Sequence, residues 1–597
     1  MSRTLTMSVA ALALLCAGSA FAQTVAVLSP EDVQRYRQIF ADERDGNFSA
    51  AQTLVSQLSD RSLVGYAQAE HYLSAHSSAS LSDLVAWMQE YSDLPIADRI
   101  YTLAVKRASK PIRRHHRVVG YRVIAAVPVP AGPPRARGGG YEDGNIPDPP
   151  MQSDAGRAAQ AQIMADIKNS NSSAADGVLQ ALVAANTATG TDVARLSQHV
   201  AASYVAEGQD YNAFDVASRV SAVDAPAAPL LEWELGFSAY RMGKYDIAAN
   251  HFEILAQNGT VPNYVRAQGA FWAARAHLAN SDPLRVVTLL TAAAREEPTF
   301  YGMLAEHALG ENAVQTLSEP RIDPVQFATF SAIPAAHRAI ALYQIGETAG
   351  LHEEMARAMG TMDYSQAETC AALASHMNVP DLELRASELA ASTGRTLTGL
   401  YPVPDYAPPG GYRIDRSLLF AFARIETKFQ AHAVSPAGAR GLMQVMPGTA
   451  ALVDGAAVSD SQLNDPSYSL GLGQRVLEGL MTDMNGNLFE TAAAYNAGSG
   501  AVTRWMAHAN VQNDPLLFLE SMGAPETRNY VKRVMVYYWM YSGRMNEAAP
   551  SLDQTARGGW PLYHPRSSAV RVSTPATPPR TQSTNGPNVV SDADTPH

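Results

Sequence analysis

The chain has 597 residues, of which 46% are hydrophobic, and its formal net charge is −12. This length is several times that of a usual domain, so we expect more than one packed unit. The negative charge argues against binding nucleic acid or an anionic surface through bulk electrostatics. A polymeric substrate would instead have to be held in a shaped groove by local hydrogen bonds.

The N-terminus has the pattern of a cleaved secretory signal. Arg3 precedes a short apolar stretch, and Ala-Phe-Ala follows at 20–22. A membrane-spanning helix needs about 20 apolar residues, so we expect export to the periplasm and no stable membrane anchor. Cys16 follows two leucines, whereas a lipidation site has small residues there. After cleavage only Cys370 would remain, which excludes an intramolecular disulfide.

The next 400 residues predict helices and almost no strands. Apolar residues recur at i, i+3 and i+4, for example at Leu63, Tyr66 and Ala67. One stretch is close to a tetratricopeptide helix-turn-helix unit. Its characteristic residues are Trp233, Gly236, Gly243, Tyr245, Ala248 and Phe252.

We predict an all-α fold, and changes in composition divide the chain into separate segments. Segments rich in Pro and Gly predict linkers or excursions, and the last segment is rich in Pro, Ser and Thr, which predicts disorder. The predicted order is a signal peptide (1–22), an N-terminal helical region (23–126), a Pro/Gly-rich linker or excursion (127–150), an α-superhelical domain (151–400), a linker (401–412), a compact C-terminal domain (413–545) and a disordered tail (546–597).

Glu426 is the candidate for acid/base chemistry. It lies at the edge of the apolar face of a helix that Asp415 can cap, four residues after Phe422. A carboxyl that loses hydration there should have a raised pKa, as a general acid requires near neutral pH. The alternative is a solvent-facing residue that only offsets nearby charges such as Lys428.

Three later segments combine small residues with polar or aromatic ones. The segment 435–447 contains Gln444, whose amide can donate to and accept from sugar hydroxyls. A helix could end at Gly498 and expose the preceding aromatic and Asn496, and another helix opens at Glu526. Taken singly, each segment is equally compatible with ordinary turn or core chemistry.

Together these segments resemble the catalytic domain of soluble lytic transglycosylases, which share the goose-type lysozyme fold. The matching motifs are Glu426-Thr427, Gly441-Leu442-Met443-Gln444, Ala494-Tyr495-Asn496-Ala497-Gly498 and Glu526-Thr527-Arg528-Asn529-Tyr530-Val531. The helical body is similar to that family's superhelical region at 271–276 and 300–305. Thr427 replaces the family's usual Ser, and Ser469 stands where the family often has Asn, so no binding role is carried over to Ser469.

The resemblance implies a peptidoglycan lytic exotransglycosylase in which Glu426 is the single catalytic acid and then base. It implies that the glycan strand is bound by Ser435, Met443, Gln444, Tyr495, Asn496, Glu526 and Tyr530. We expect no cofactor, no metal site and no nucleic-acid partner, while the helical body could also recruit protein partners.

Two other functions stay open at this point. A hydrolytic muramidase of the same fold would admit water, and a retaining one would need a second carboxylate about 5 Å from the first. None of the other carboxylates lies in a motif that looks like a nucleophile; they are Glu478, Glu490, Glu520 and Glu526. A non-catalytic peptidoglycan-binding scaffold would have no need for an acid beside an apolar face.

Overall fold

A computed structural model describes residues 25–74, 79–108, 150–220, 222–296, 298–311, 317–508 and 513–565. Within these ranges all regular structure is helical and only isolated β-bridges occur besides, so the predicted all-α class is confirmed. No helix in this part of the chain is long and apolar enough to cross a membrane. The predicted signal peptide and nearly all of the Pro/Gly-rich segment 127–150 lie outside the described residues.

The N-terminal helices share a hydrophobic core with helices more than two hundred residues later in the chain. These helices are α1 (Pro30–Asp45), α2 (Phe48–Val55), α3 (Val64–Leu73), α4 (Leu81–Tyr91) and α5 (Ala97–Arg107), with α15 (Pro324–Ser331), α16 (Pro334–Ile345), α17 (Leu351–Met359), α18 (Ala367–His376) and α19 (Pro380–Ser392). A buried polar contact joins the two groups, because the Tyr66 hydroxyl donates to Glu354 Oε1 at 2.9 Å. Arg338 Nε donates to the same carboxylate at 2.7 Å.

The predicted unit 151–400 is therefore divided between two cores. Its last part, 324–397, packs with the N-terminal helices, whereas residues 151–305 pack with the C-terminal domain. Helical periodicity shows that each short helix has an apolar face to bury, but it does not show which other helix covers that face. The predicted boundaries missed this pairing for that reason.

The middle helices form the larger core together with the C-terminal domain. They are α6 (Asp154–Lys168), α7 (Ser172–Ala185), α8 (Gly190–Ala206), α9 (Asp210–Ser218), α10 (Leu231–Arg241), α11 (Tyr245–Gln257), α12 (Asn263–Ala279), α13 (Val286–Ala294) and α14 (Phe300–Leu309). The helix-turn-helix predicted around Gly236 is present as α10 and α11. A Cβ on Gly236 would lie 2.7 Å from the Phe252 ring, so only glycine allows this close approach.

The C-terminal domain contains the helices that carry the candidate site. They are α20 (Arg416–Thr427), α21 (Pro447–Asp454), α22 (Asp460–Leu463), α23 (Pro466–Asp483), α24 (Leu488–Ala497), α25 (Ser499–His508), α26 (Pro515–Ser521), α27 (Pro525–Arg544) and α28 (Pro550–Ala556). Helices α20 and α27 pack along each other, and α24 packs against α27. Glu426, Tyr495 and Tyr530 lie on these three helices.

A buried ion pair joins α26 to α27 and contacts the helical body through Tyr301. Lys532 Nζ lies 2.6 Å from Glu520 Oε1, and both side chains are almost fully buried. The Tyr301 hydroxyl, from α14, donates to the same oxygen at 2.5 Å. Burial of these charges is tolerable because each one is paired and hydrogen-bonded. Glu520 is therefore part of the junction between the helical body and the C-terminal domain.

The prediction of a disordered tail from residue 546 is wrong for residues 546–565. This stretch contains α28 and packs against the preceding helices of the C-terminal domain, where the Trp539 indole N–H donates to Ser551 Oγ at 3.0 Å. Trp560 and Tyr563 pack against the main core. The average composition of 546–597 hid these two aromatic residues, which supply the apolar surface that orders the segment.

Candidate active site

Glu426 is the penultimate residue of α20. Buried side chains on the same helix, including Leu419 and Phe422, fix the helix against the core. The helix ends abruptly because Lys428 and Phe429 have φ values of +51° and +66°. Two consecutive non-glycine residues in the left-handed region are strained, and such strain concentrates at functional sites.

The carboxyl of Glu426 has a strongly perturbed acidity. Burial raises its pKa to about 7, although a hydrogen bond from Tyr530 and the nearby charge of Arg533 lower it in part. The Tyr530 hydroxyl donates to Glu426 Oε1 at 2.5 Å. A carboxyl with this pKa is present in both protonation states near neutral pH, so it can give and take a proton. The predicted rise in pKa agrees with this environment.

Lys428 does not neutralise Glu426. Its ammonium lies 3.0 Å from Glu388 Oε1, on α19, because the left-handed backbone turns the lysine away from the end of α20. The alternative interpretation, in which Glu426 only offsets the charge of Lys428, therefore finds no support. Asp415 also departs from its predicted role, since it occupies the N-cap position of α20 without a side-chain capping bond. Its carboxylate accepts from Tyr538 and Tyr563 instead.

The segment 433–446 is held directly to α20. The Thr427 hydroxyl donates to the backbone carbonyl of Leu442 at 3.0 Å, so the residue after Glu426 binds the motif that contains Gln444. Arg440 and Val445 exchange two backbone hydrogen bonds that close the loop. Thr427 thus keeps a hydroxyl beside Glu426 and uses it to anchor this loop.

Met443 lies at the base of the loop, and its predicted contact with substrate is wrong for the side chain. The side chain is fully buried and fills the space beside Gly473, where a Cβ would lie 2.6 Å from the Met443 Cε. Its amide N–H donates to Ser469 Oγ at 3.2 Å, and its carbonyl accepts from the Tyr495 hydroxyl at 2.6 Å. Ser469 is itself buried, so its role is to hold the loop.

The side chains of Gln444 and Ser435 form hydrogen bonds within the loop. Gln444 has a φ of +47°, and its amide NH₂ donates to the carbonyls of Ala433 and Gly441 at 3.2 and 3.0 Å. The group that it can offer a ligand is therefore the amide oxygen. Ser435 Oγ accepts from the Ala439 N–H at 2.9 Å and stabilises the turn.

The end of α24 places an aromatic and an amide beside α27. Helix α24 ends at Ala497 with Gly498 as its C-cap, as the sequence predicted. The Tyr495 ring lies 4.9 Å from that of Phe422, measured between centroids, and Asn496 is exposed. Asn496 Oδ1 accepts from the Thr527 hydroxyl at 2.7 Å, and Glu526 is exposed in the first turn of α27. Tyr495, whose hydroxyl is bound to the loop, orders the site.

Arg533 is a site residue that the sequence analysis missed. It follows Tyr530 by three residues and precedes Tyr537 by four, so the three side chains share one face of α27. Its positive charge lowers the pKa of Glu426 and also opposes the rise in the pKa of Tyr530. Its guanidinium forms a hydrogen bond with Tyr537. The tyrosine spacing could have revealed it, because a cation on an otherwise aromatic and apolar helix face requires an electrostatic partner.

The other carboxylates named above have different surroundings from Glu426. Glu478 pairs with Arg413, and Glu490 accepts from the Asn487 side chain at 2.7 Å. Glu520 belongs to the buried ion pair described above. Among the groups that perturb Glu426 there is no second carboxylate in the described part of the chain. Within those same residues, no cluster of His, Cys, Asp or Glu is arranged to hold a metal ion.

The C-terminal block matches a known family. Residues 409–518 match the family model described as "Transglycosylase SLT domain". The predicted resemblance is confirmed. The match covers Glu426, the loop with Gln444, and Asn496, and it ends before Tyr530.

Curated relatives extend the similarity over part of the chain. A soluble lytic murein transglycosylase of Escherichia coli (strain K12) is 35% identical over 154 residues, which are 25% of this chain and 24% of the relative. A soluble lytic murein transglycosylase of Salmonella typhimurium is 29% identical over 259 residues, 42% of this chain and 39% of the relative. The aligned region thus spans about a quarter to two fifths of these relatives' length.

Solved structures give a broad but loose likeness. The 70 kDa soluble lytic transglycosylase of Escherichia coli aligns with a TM-score of 0.49 and 17% identity, over 89% of this chain and 99% of that chain. The lytic transglycosylase Slt of Pseudomonas aeruginosa, solved as an inactive mutant, aligns with a TM-score of 0.42 and 19% identity, over 86% and 97% respectively.

Proposed function

We propose that this protein is a peptidoglycan lytic transglycosylase that cleaves the β-1,4 bond between N-acetylmuramic acid and N-acetylglucosamine without water. The observation that carries the proposal is the carboxyl of Glu426, which has a pKa of about 7 and a hydrogen bond from Tyr530. It lies within a segment that matches the transglycosylase SLT domain. Perturbed acidity at such a position is typical of a catalytic acid.

One carboxyl can perform both proton transfers of this reaction. Protonated Glu426 gives its proton to the glycosidic oxygen while the bond from that oxygen to the muramic C1 breaks, and N-acetylglucosamine leaves as an alcohol. The Glu426 carboxylate then takes the proton from the muramic C6 hydroxyl as its oxygen bonds to C1. A 1,6-anhydro ring closes, and Glu426 is protonated again. The steps consume no water and need no cofactor.

The surroundings of Glu426 favour this reaction over hydrolysis. The two-carboxylate mechanisms use a second carboxylate as nucleophile or as base for water. The other candidate carboxylates of the domain are paired, hydrogen-bonded or exposed, as described above. The substrate's own C6 hydroxyl can supply the nucleophile, since a well-placed intramolecular group reaches effective molarities of about 10⁵ M or more.

The place of action and the partners belong to the same proposal. The signal-like N-terminus supports export to the periplasm, where the glycan strands of peptidoglycan would be the polymeric partner. The chain's negative net charge supports recognition through hydrogen bonds in a groove and not through bulk electrostatics. The amide oxygen of Gln444 and the exposed Asn496 are the groups that we assign to that recognition.

Product analysis of digested sacculi tests the proposal. We expect the purified protein to release muropeptides that end in 1,6-anhydro-N-acetylmuramic acid, each lighter by one water than its hydrolytic counterpart and lacking a reducing end. Mass spectrometry before and after borohydride reduction distinguishes the two. Reducing muramic ends would show a muramidase, and binding to sacculi without release would show a scaffold; either result contradicts the proposal.

The pH dependence of the rate should respond to Tyr530. A general acid works in its protonated form, so the rate should fall as the pH rises through the Glu426 pKa of about 7. Tyr530→Phe removes a hydrogen bond that stabilises the carboxylate, so the pKa should rise. A hydrogen bond to a charged group is worth about 1.5–3 kcal/mol, so we expect the alkaline limb of the pH–rate profile to move up by about one to two pH units.

The maximal rate of Tyr530→Phe should also fall, because Glu426 loses the group that orients it. Initial rates of muropeptide release between pH 5 and 9 measure both effects. Tyr468→Phe, which removes a surface hydroxyl bonded to Asp454, is the control and should keep the wild-type profile. An alkaline limb that stays in place or moves down in Tyr530→Phe would contradict the assignment.

A further inference from the structure

The residues that follow the family match form a segment that contacts all three helices of the active site. We call residues 549–565 the C-terminal segment; it includes α28 and the irregular chain after it. It lies outside the matched range 409–518. Its composition predicted disorder, so its ordered contacts require a physical explanation.

Tyr563, near the end of the C-terminal segment, forms hydrogen bonds with Asp415, the residue directly before α20. The backbone N–H of Asp415 donates to the Tyr563 hydroxyl at 3.0 Å, and that hydroxyl donates to Asp415 Oδ1 at 3.2 Å. The Tyr538 hydroxyl donates to the other carboxylate oxygen at 2.8 Å. Asp415 occupies the N-cap position of α20, but its side chain makes no capping hydrogen bond. Its carboxylate is bound by two tyrosine hydroxyls instead.

The same segment also holds the other two helices. Leu488, the first residue of α24, donates its N–H to the Pro561 carbonyl at 2.9 Å, and the N–H of Tyr563 donates to the Gly486 carbonyl at 2.7 Å. On α27, the Trp539 indole is bound to Ser551, as described above. The helices that carry Glu426, Tyr495 and Tyr530 are thus connected through one short stretch of chain.

We infer that Tyr563 is a positioning residue of the active site, which fixes the start of α20 and thereby the location of the Glu426 carboxyl. The inference rests on the proposed function. Glu426 lies eleven residues after Asp415, which is about 16 Å along a helix at 1.5 Å per residue. A tilt of about 4° at the start of α20 would displace the carboxyl by about 1 Å, and a misplacement of that size can cost on the order of 100-fold in rate.

Tyr563→Phe in the full chain tests this role, because the ring and its packing stay while the hydroxyl is lost. We expect turnover to fall by about tenfold, with the substrate amount at half-maximal rate changed less than twofold, since the loop with Gln444 is not touched. Rates should be taken well below the melting temperature, so that a purely structural role would leave the turnover of the folded protein unchanged. Tyr468→Phe is the matched control.

Amide hydrogen exchange gives a readout that does not depend on activity. The N–H of Asp415 donates to the Tyr563 hydroxyl, so amides in the peptide 413–419 should exchange at least several times faster in Tyr563→Phe than in the wild type. In Tyr468→Phe the exchange rate of this peptide should equal that of the wild type. Faster exchange with the tenfold loss of turnover supports the inference. Wild-type turnover or wild-type exchange in Tyr563→Phe overturns it, whereas a wild-type protein without muropeptide release would overturn the proposed function instead.

Discussion

Glu426→Gln should lower the rate of glycan cleavage by at least three orders of magnitude while the fold and the binding of sacculi are retained. Gln has the same shape as Glu, and its amide oxygen can still accept the Tyr530 hydrogen bond, but it has no proton to give. General acid catalysis contributes about 10²–10⁴-fold, and here one group serves both proton transfers. Initial rates of muropeptide release measure the loss, and a pull-down with sacculi measures the binding.

The same variant should be more stable than the wild type at alkaline pH. The pKa of Glu426 is raised from 4.5 to about 7 in the folded protein, so the folded state binds this proton more tightly than the unfolded state. The stability that this proton contributes is complete below pH 4.5 and is lost as the pH rises through 7. At pH 8 we expect Glu426→Gln to raise the free energy of unfolding by about 1–3 kcal/mol, and at pH 4 to leave it nearly unchanged.

Glu478→Gln is the matched control for both measurements. Glu478 pairs with Arg413 at the surface of the same domain, and an exposed ion pair is worth about 0–1 kcal/mol. Its activity should be close to that of the wild type. A Glu478→Gln loss as large as that of Glu426→Gln would mean that the catalytic carboxylate is misassigned.

Gly441→Ala should destabilise the domain by about 3–5 kcal/mol and remove most activity. Gly441 has a φ of +74°, and a Cβ there would lie 1.9 Å from the Leu463 carbonyl oxygen and 2.8 Å from Ser469 Oγ. The Leu463 carbonyl belongs to the backbone and cannot rotate away from the new Cβ as a side chain could, so the loop must move. Its movement would break the contact between Thr427 and Leu442 that joins the loop to α20.

Gly438→Ala separates the cost of the backbone conformation from the cost of the clash. Gly438 has a φ of +93°, but a Cβ there meets nothing within 4 Å. We therefore expect a smaller loss, about 1–2 kcal/mol, from backbone strain alone. Urea unfolding of both variants gives the comparison. Equal losses would show that the close packing under Gly441 is not what fixes the loop.

The sequence was sufficient for the helical class, for the buried environment of Glu426 and for the family motifs around it, because each depends on a local pattern. Apolar spacing in α20 placed Glu426 at the edge of a buried face, and burial is what raises its pKa. The sequence did not show how the motif residues use their polar groups. Met443 and Gln444 belong to one motif, yet one side chain is buried and the other uses its NH₂ group within the loop.

Local sequence patterns also could not show which helices and segments pack together when they lie far apart in the chain. The contact between Tyr66 and Glu354 joins helices whose apolar faces look alike in the sequence, and many pairings would bury them equally well. Tyr563 lies in a stretch with the composition of a disordered tail, and only the fold shows that Asp415 is its partner. Both features depend on residues that are far apart in the chain.

Digestion of sacculi in ¹⁸O-labelled water tests the central claim most directly, because it follows the nucleophile itself. If the muramic C6 hydroxyl attacks C1, no oxygen from the solvent enters the product. We therefore expect the released 1,6-anhydromuropeptides to carry no label, since an intramolecular attack at an effective molarity of about 10⁵ M outcompetes water at roughly 55 M. Incorporation of one ¹⁸O per cleavage at the muramic C1 would show hydrolysis and contradict the proposed function.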